Sequence, residues 1–234
     1  MDKTTTLPIT NILIWIARIF TGALFVFSGL IKANDPLGFS YKLEEYFQVF
    51  QMDFLNSYSV IIAILLCSIE IILGALLLIG VWKRQVVLGL LLLILFFTFL
   101  TFYSAFFEVV TSCGCFGDAI PLTLWQSFTK DLILLTLIIF LYINRNAIQP
   151  TIGDAYTKNI VTAGVAIISI GIGIYTFNFL PVLDFLPYKV GNNLPELMRI
   201  PPGAVLDEYE TRYKLKNKLT NEEREMSDKE YLKT

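Results

Sequence analysis

Five apolar stretches run through this chain. Each is close to the 20 or so residues that a helix rising 1.5 Å per residue needs to cross a hydrocarbon core about 30 Å thick. They extend from about Ile12 to Ile31, Tyr58 to Val81, Val86 to Phe107, Ile120 to Ile143 and Ile160 to Leu180. The composition agrees, with 55% hydrophobic and 16% charged residues and a mean hydropathy of +0.64, beyond what a soluble domain carries. The expected fold is an all-α polytopic membrane helix bundle whose first partner is the lipid bilayer; no nucleic acid partner is expected.

The first stretch ends in Leu30, Ile31 and Lys32 rather than in a small-residue cleavage site, so it reads as a retained helix and not a signal peptide. Half of the Asp, Glu, Lys and Arg residues lie beyond residue 180, which sets the C-terminal tail apart as a solvated region. In the short loops, Lys83 and Arg84 follow the second span, and Arg145 and Lys158 follow the fourth. The first loop is acidic, with Asp35, Glu44, Glu45 and Asp53. Lys and Arg favour the cytoplasm, so the N-terminus is expected inside, in a bacterial inner membrane. The first loop, the segment around residue 115 and the tail then face the periplasm, a compartment where thiols are oxidised.

Ionisable groups inside a span cost a few kcal/mol or more unless paired or wetted. By helical rise, Arg18 and Glu70 lie about 10 and 15 Å in from the cytoplasmic side. These depths lead to an expected buried ion pair, either a structural clamp or a proton or quinol contact. Arg18, Gly22, Phe25, Gly29 and Lys32 share one face of the first span, where the glycines let another backbone approach. Trp125, Gln126, Ser127, Thr129, Lys130 and Asp131 make the start of the fourth span polar, and the adjacent Lys130 and Asp131 point about 100° apart, so each is expected to need other partners or water. With Lys32 and Glu108 near the same level, they suggest a wet cleft opening outward. Such a cleft can hold a quinone head group at Lys32, Lys130 and Asp131, admit a partner's cysteine, or be a polar packing core.

Three cysteines and no histidine are present. Cys67, mid-span, is expected to be an inert small hydrophobe. Cys113 and Cys115 stand in the string Cys113-Gly114-Cys115-Phe116-Gly117-Asp118, with Pro121 expected in the first turn of the following helix. The dipole of that helix would favour a thiolate, while Glu108 and Asp118 would oppose it. Cysteines one residue apart close only a small, strained ring, which suits exchange better than stapling. No metal is expected from two soft ligands without histidine.

Arg18, Gly22, Phe25, Ser28-Gly29, Lys32, Asp35-Pro36 and Gly38-Phe39, then Glu70, Gly74 and Gly80, resemble the DoxX-like membrane proteins. The Cys113-Gly114-Cys115-Phe116-Gly117 string makes the chain most similar to the MauE branch, the DoxX/MauE redox-associated membrane proteins. The resemblance covers about residues 10 to 145. It implies a four-helix membrane core, and either help with disulfide formation in a partner or electron transfer to quinone. The expected organisation is a DoxX/MauE-like core over residues 1–145, a loop and fifth transmembrane helix over 146–180, and an extracytoplasmic tail over 181–234. The chain lacks a second extracytoplasmic cysteine pair, so a partner is expected to supply it.

The tail opens with Pro181, Pro187, Pro195, Pro201 and Pro202, a helix-averse linker. Tyr209, Thr211, Tyr213 and Leu215 alternate as in a half-exposed strand, and Ser227 with Glu230 forms a capping box for a helix over Asp228 to Thr234. So short a segment cannot bury a core, and the chain is expected to be part of a longer protein. Two functions follow: a membrane redox protein exchanging disulfides with an extracytoplasmic partner through Cys113 and Cys115, with quinone as acceptor, or a non-catalytic membrane subunit assembling a larger envelope complex. Transport of a small solute finds no support in an inverted repeat.

Overall fold

In the computed structural model of this chain, residues 8–110, 114, 116–117, 119–120, 122–179, 181–185, 189, 191–199, 212–216 and 223–227 are described. Met1–Leu186 form one compact unit and Pro187–Thr234 a second.

The first unit is a helix bundle: α1 (Pro8–Asn34), α2 (Pro36–Val49), a 3-10 turn (Asp53–Tyr58), α3 (Ser59–Ile79), α4 (Lys83–Phe107), α5 (Leu124–Ile143) and α6 (Ala155–Asn178). Five of its helices are long and apolar enough to cross a membrane, which makes the chain a multi-pass membrane protein. Between α1, α3, α4 and α5 lies an apolar cluster that includes Leu77, Leu90, Ile94, Ile138 and Leu141. The fifth span, α6, packs mainly on α3 and buries least of its surface.

The segment expected as a first loop is largely a helix. Asp35 caps α2 by accepting from the Gly38 N–H at 2.9 Å, and Pro36 takes the first turn, where its missing N–H costs nothing. Phe39, Leu43, Tyr46 and Phe47 recur at helical spacing and bury one face on the bundle. The opposite face carries the Lys42–Glu45 pair at 2.7 Å.

Helix α1 packs antiparallel on α3 more extensively than any other two helices pack among the described residues, and small residues let the two backbones approach. A Cβ added to Gly74 would stand 2.8 Å from the Gly22 carbonyl oxygen and 2.9 Å from the Val26 nitrogen; one added to Gly29 would stand 3.0 Å from the Cys67 carbonyl oxygen. Gly80, at φ +76°, closes α3 in the left-handed conformation that glycine adopts without strain.

The second unit contains the short helix α7 (Leu194–Leu197) and an antiparallel hairpin of β1 (Arg212–Lys216) and β2 (Glu223–Ser227), with Tyr213 opposite Met226. A strand through Tyr213 and Leu215 is read correctly from the sequence, but its partner strand is not. Ser227, expected to cap a helix, ends β2. The helix expected over Asp228–Thr234, together with Tyr209 and Thr211, lies outside the described residues.

Gly74→Ala should force α1 and α3 apart, because the atoms facing the new methyl belong to backbone. A loss of about 1–3 kcal/mol is expected, read as a lower unfolding temperature in detergent. Gly171→Ala, where the added carbon meets nothing within 4 Å, should leave that temperature unchanged.

Candidate functional site

The register set by Gly22 against Gly74 and Gly29 against Cys67 decides where every charge on α1 and α3 falls. It places Arg18 opposite Leu78 and Glu70 near Ser28 and Lys32. The expected Arg18–Glu70 ion pair therefore does not form. The Arg18 guanidinium donates from Nε to the Leu77 carbonyl at 2.8 Å, from Nη2 to that of Leu78 at 2.7 Å and from Nη1 to that of Gln149 at 2.8 Å. The C-terminal carbonyls of α3, at the negative end of the helix dipole, take the place of a carboxylate. Depth alone misplaced the pair, because Glu70 lies about two turns from Leu77.

Glu70, 1% exposed, pairs instead with Lys32. Its Oε1 accepts from the Lys32 ammonium, and its Oε2 accepts from the Ser28 hydroxyl at 3.1 Å. The Lys32 ammonium also lies 5.2 Å from the Phe39 ring centroid and 4.8 Å from that of Phe97, so the cation is enclosed by π faces as well as by its carboxylate.

A second carboxylate repeats this pattern on α5. Asp131, also 1% exposed, accepts from Lys130 Nζ at 2.5 Å through Oδ1 and from the Thr101 hydroxyl at 2.9 Å through Oδ2. Lys130 and Asp131, expected to need partners beyond one another, do have them in the Phe116 ring and the Thr101 hydroxyl, but the two also pair directly, because the long lysine stem folds back across the helix surface.

Both pairs face one cavity of about 40 Å³, so the structure brings Lys32, Lys130 and Asp131 together with Glu70. Tyr46, reached only through α2, lines it too and bonds Ser104 at 2.8 Å. Its signal in the sequence was the Phe39, Leu43, Tyr46, Phe47 spacing. Glu108, expected at the same level, is exposed at the C-terminal end of α4 and does not line this cavity.

Cys113 and Cys115 lie outside the described residues, as do Asp118 and Pro121. The residues around them are anchored. Gly114 adopts φ +62° and Gly117 φ +50°, and the Gly117 N–H donates to the Gly114 carbonyl at 3.2 Å, a turn that needs glycine at both positions. Phe116, 8% exposed, sets its ring 5.8 Å from that of Phe27 and 5.4 Å from the Lys130 ammonium. The residue next to Cys115 in sequence is thereby fastened to the same lysine that holds Asp131. Helix α5 starts later than expected: Thr123 and Gln126 form a capping box, and Leu124 is the first helical residue.

Gly114 and Gly117 also line an outer cavity of about 80 Å³ with Lys32, Asp35, Lys42 and the segment after α6. Asn34 ties that segment down, its amide donating to the Leu183 carbonyl at 2.6 Å while its oxygen accepts from the Leu183 N–H at 3.0 Å. Cys67 is fully buried among Ala33, Phe39, Ala63 and Ile71. Among the described residues, no group of three or more acidic or cysteine side chains could hold a metal.

Lys32→Met should cost about 3–5 kcal/mol by leaving Glu70 charged and unpaired, and Glu70→Leu in the same protein should recover part of that loss. Arg18→Met combined with Glu70→Leu should be additive within about 0.5 kcal/mol. Unfolding cycles in detergent check both outcomes.

The description Methylamine utilisation protein MauE matches residues 10–144, the stretch from α1 through α5 that carries both buried pairs and the cysteine loop. Protein TlpB of Flavobacterium psychrophilum is 28% identical over 130 residues, which is 53% of this chain and 35% of that protein. The chain thus spans about a third of the length of the curated relative it matches. No solved structure matches it. With more than half of its residues matched, including every residue of the buried charge cluster, the chain belongs to the MauE family.

Proposed function

We propose that this chain is the membrane component of a thiol–disulfide exchange system, in which Cys113 and Cys115 exchange with a dithiol partner on the periplasmic face of the bacterial inner membrane. The observation that carries this reading is the fastening of Phe116 between Phe27 and Lys130, which ties the Cys-Gly-Cys string to the charged centre of a MauE-family bundle. In the exchange, a partner thiolate attacks one sulfur of the Cys113–Cys115 disulfide and forms a mixed disulfide. The partner's second thiol then displaces it. The partner leaves oxidised and the loop keeps two thiols, so two electrons and two protons have moved to the loop.

Restoring the disulfide requires a two-electron acceptor. The DoxX-like side of the resemblance suggests a quinone at Lys32, Lys130 and Asp131, and the polarity of these groups suits its carbonyls. The cavity they line, at about 40 Å³, is far below the roughly 300 Å³ of a small-molecule site. A quinone ring does not fit it in this conformation, and no step is assigned to one.

Cys113→Ser or Cys115→Ser should abolish partner oxidation while the protein stays folded and inserted, and the remaining thiol should trap a mixed disulfide with the partner. Cys67→Ser should retain activity. A Cys113→Ser/Cys115→Ser protein with full activity would leave the alternative of a non-catalytic assembly subunit as the better account.

The proposed orientation puts the N-terminus in the cytoplasm and the loop outside. After reduction, a membrane-impermeant thiol reagent applied to cells with a permeabilised outer membrane should label Cys113 or Cys115. Labelling only after lysis of the inner membrane would reverse the orientation.

A further inference from the structure

The outer and inner cavities meet at one wall. Lys32 and Phe39 line both, the outer one lying beside Gly114 and Gly117 and the inner one holding Glu70 and Asp131. A polar cavity holds water when it offers about 10–15 Å³ per molecule and two to four hydrogen-bonding partners. The inner cavity, at about 40 Å³, has room for about three or four waters on that scale, and two carboxylates, two ammonium groups and three hydroxyls supply the partners.

Toward the other end of the bundle the described residues between the helices are mostly apolar. The apolar cluster of Leu77, Leu90, Ile138 and Leu141 fills the space between α1, α3, α4 and α5, and the Gly22–Gly74 contact closes α1 onto α3.

We propose that the inner cavity is a hydrated proton-exchange site, open through the Lys32–Phe39 wall to the cysteine-loop side and sealed by the apolar cluster from the other. The groups facing the two carboxylates are Ser28 and Lys32 from α1, Tyr46 from α2, Thr101 from α4 and Lys130 from α5. Helix α6, which packs on α3, carries no charged residue from Asn159 to Asn178, and Cys67 lies on α3 itself. Under the thiol-exchange reading, this site takes up and returns the protons that accompany the loop's electrons. The access route itself stands on the geometry alone.

A thiol placed in the cavity reports its hydration, because an S–H that meets D₂O becomes S–D and shifts its infrared stretching band. In a Cys67→Ser/Cys113→Ser/Cys115→Ser background, Ser28→Cys supplies that single thiol, and Thr101→Cys reports from the Asp131 side should the first variant fold poorly. Cys67, kept alone in a second protein, is the dry standard. Exchange at Ser28→Cys or Thr101→Cys is expected at least about tenfold faster than at Cys67. Phe39→Leu, which thins the wall, should raise it further, whereas Ile138→Val in the apolar cluster should not. A cavity thiol exchanging as slowly as Cys67, or one that responds to Ile138→Val and not to Phe39→Leu, would overturn the proposal. Because these proteins lack the loop cysteines, the outcome does not depend on whether Cys113 and Cys115 exchange disulfides.

Discussion

Burial of Glu70 against Lys32 and Ser28 is the interaction that the rest of the bundle serves. An isolated charge at that depth costs several kcal/mol, and attraction offsets the cost only when geometry is good and the remaining oxygens are bonded. Good geometry requires α1 and α3 to be close and in one register, which Gly22, Gly29 and Gly74 provide by bringing backbone to backbone. It also requires a cover on the ammonium, and α2 supplies one by laying Phe39 against it.

The two carboxylates are solved alike. Each has one oxygen on an ammonium and the other on a hydroxyl, so the cluster is neutral as a whole and every carboxylate oxygen has a donor. Lys130 takes part twice, on Asp131 and under the Phe116 ring. A change in how Phe116 sits is therefore felt by a charge that borders the cavity, which connects that residue physically to the interior of the bundle.

Hydropathy alone made the five spans legible, since helix length against bilayer thickness leaves few alternatives. The glycine face of α1 was legible too. Pairing was not, because a single sequence reports how deep a residue lies within its own helix but not the register between helices: Arg18 and Glu70 were matched by depth, and the Gly22–Gly74 crossing separates them. Helix α2 went unread because its three charged residues, Lys42, Glu44 and Glu45, dilute its hydropathy, although Asp35, Pro36 and the Phe39, Leu43, Tyr46, Phe47 spacing announce a capped amphipathic helix. Lys32, Lys130 and Asp131, placed at a shared level near one end of the spans, line one cavity, whereas Glu108, placed with them, sits exposed past the end of α4 and does not.

Arg18 carries a further consequence, for the order in which the protein is made. Its acceptors are the carbonyls of Leu77 and Leu78 and, 131 residues further along the chain, that of Gln149. At translation rates of about 5–20 residues per second, the 131 residues from Arg18 to the last of these acceptors take roughly 7–26 seconds to make. The Leu77 and Leu78 carbonyls arrive first and that of Gln149 last, so until α3 packs on it the nascent helix must keep Arg18 at the lipid–water boundary or against the insertion machinery, and its set of acceptors is complete only when the loop after α5 is made.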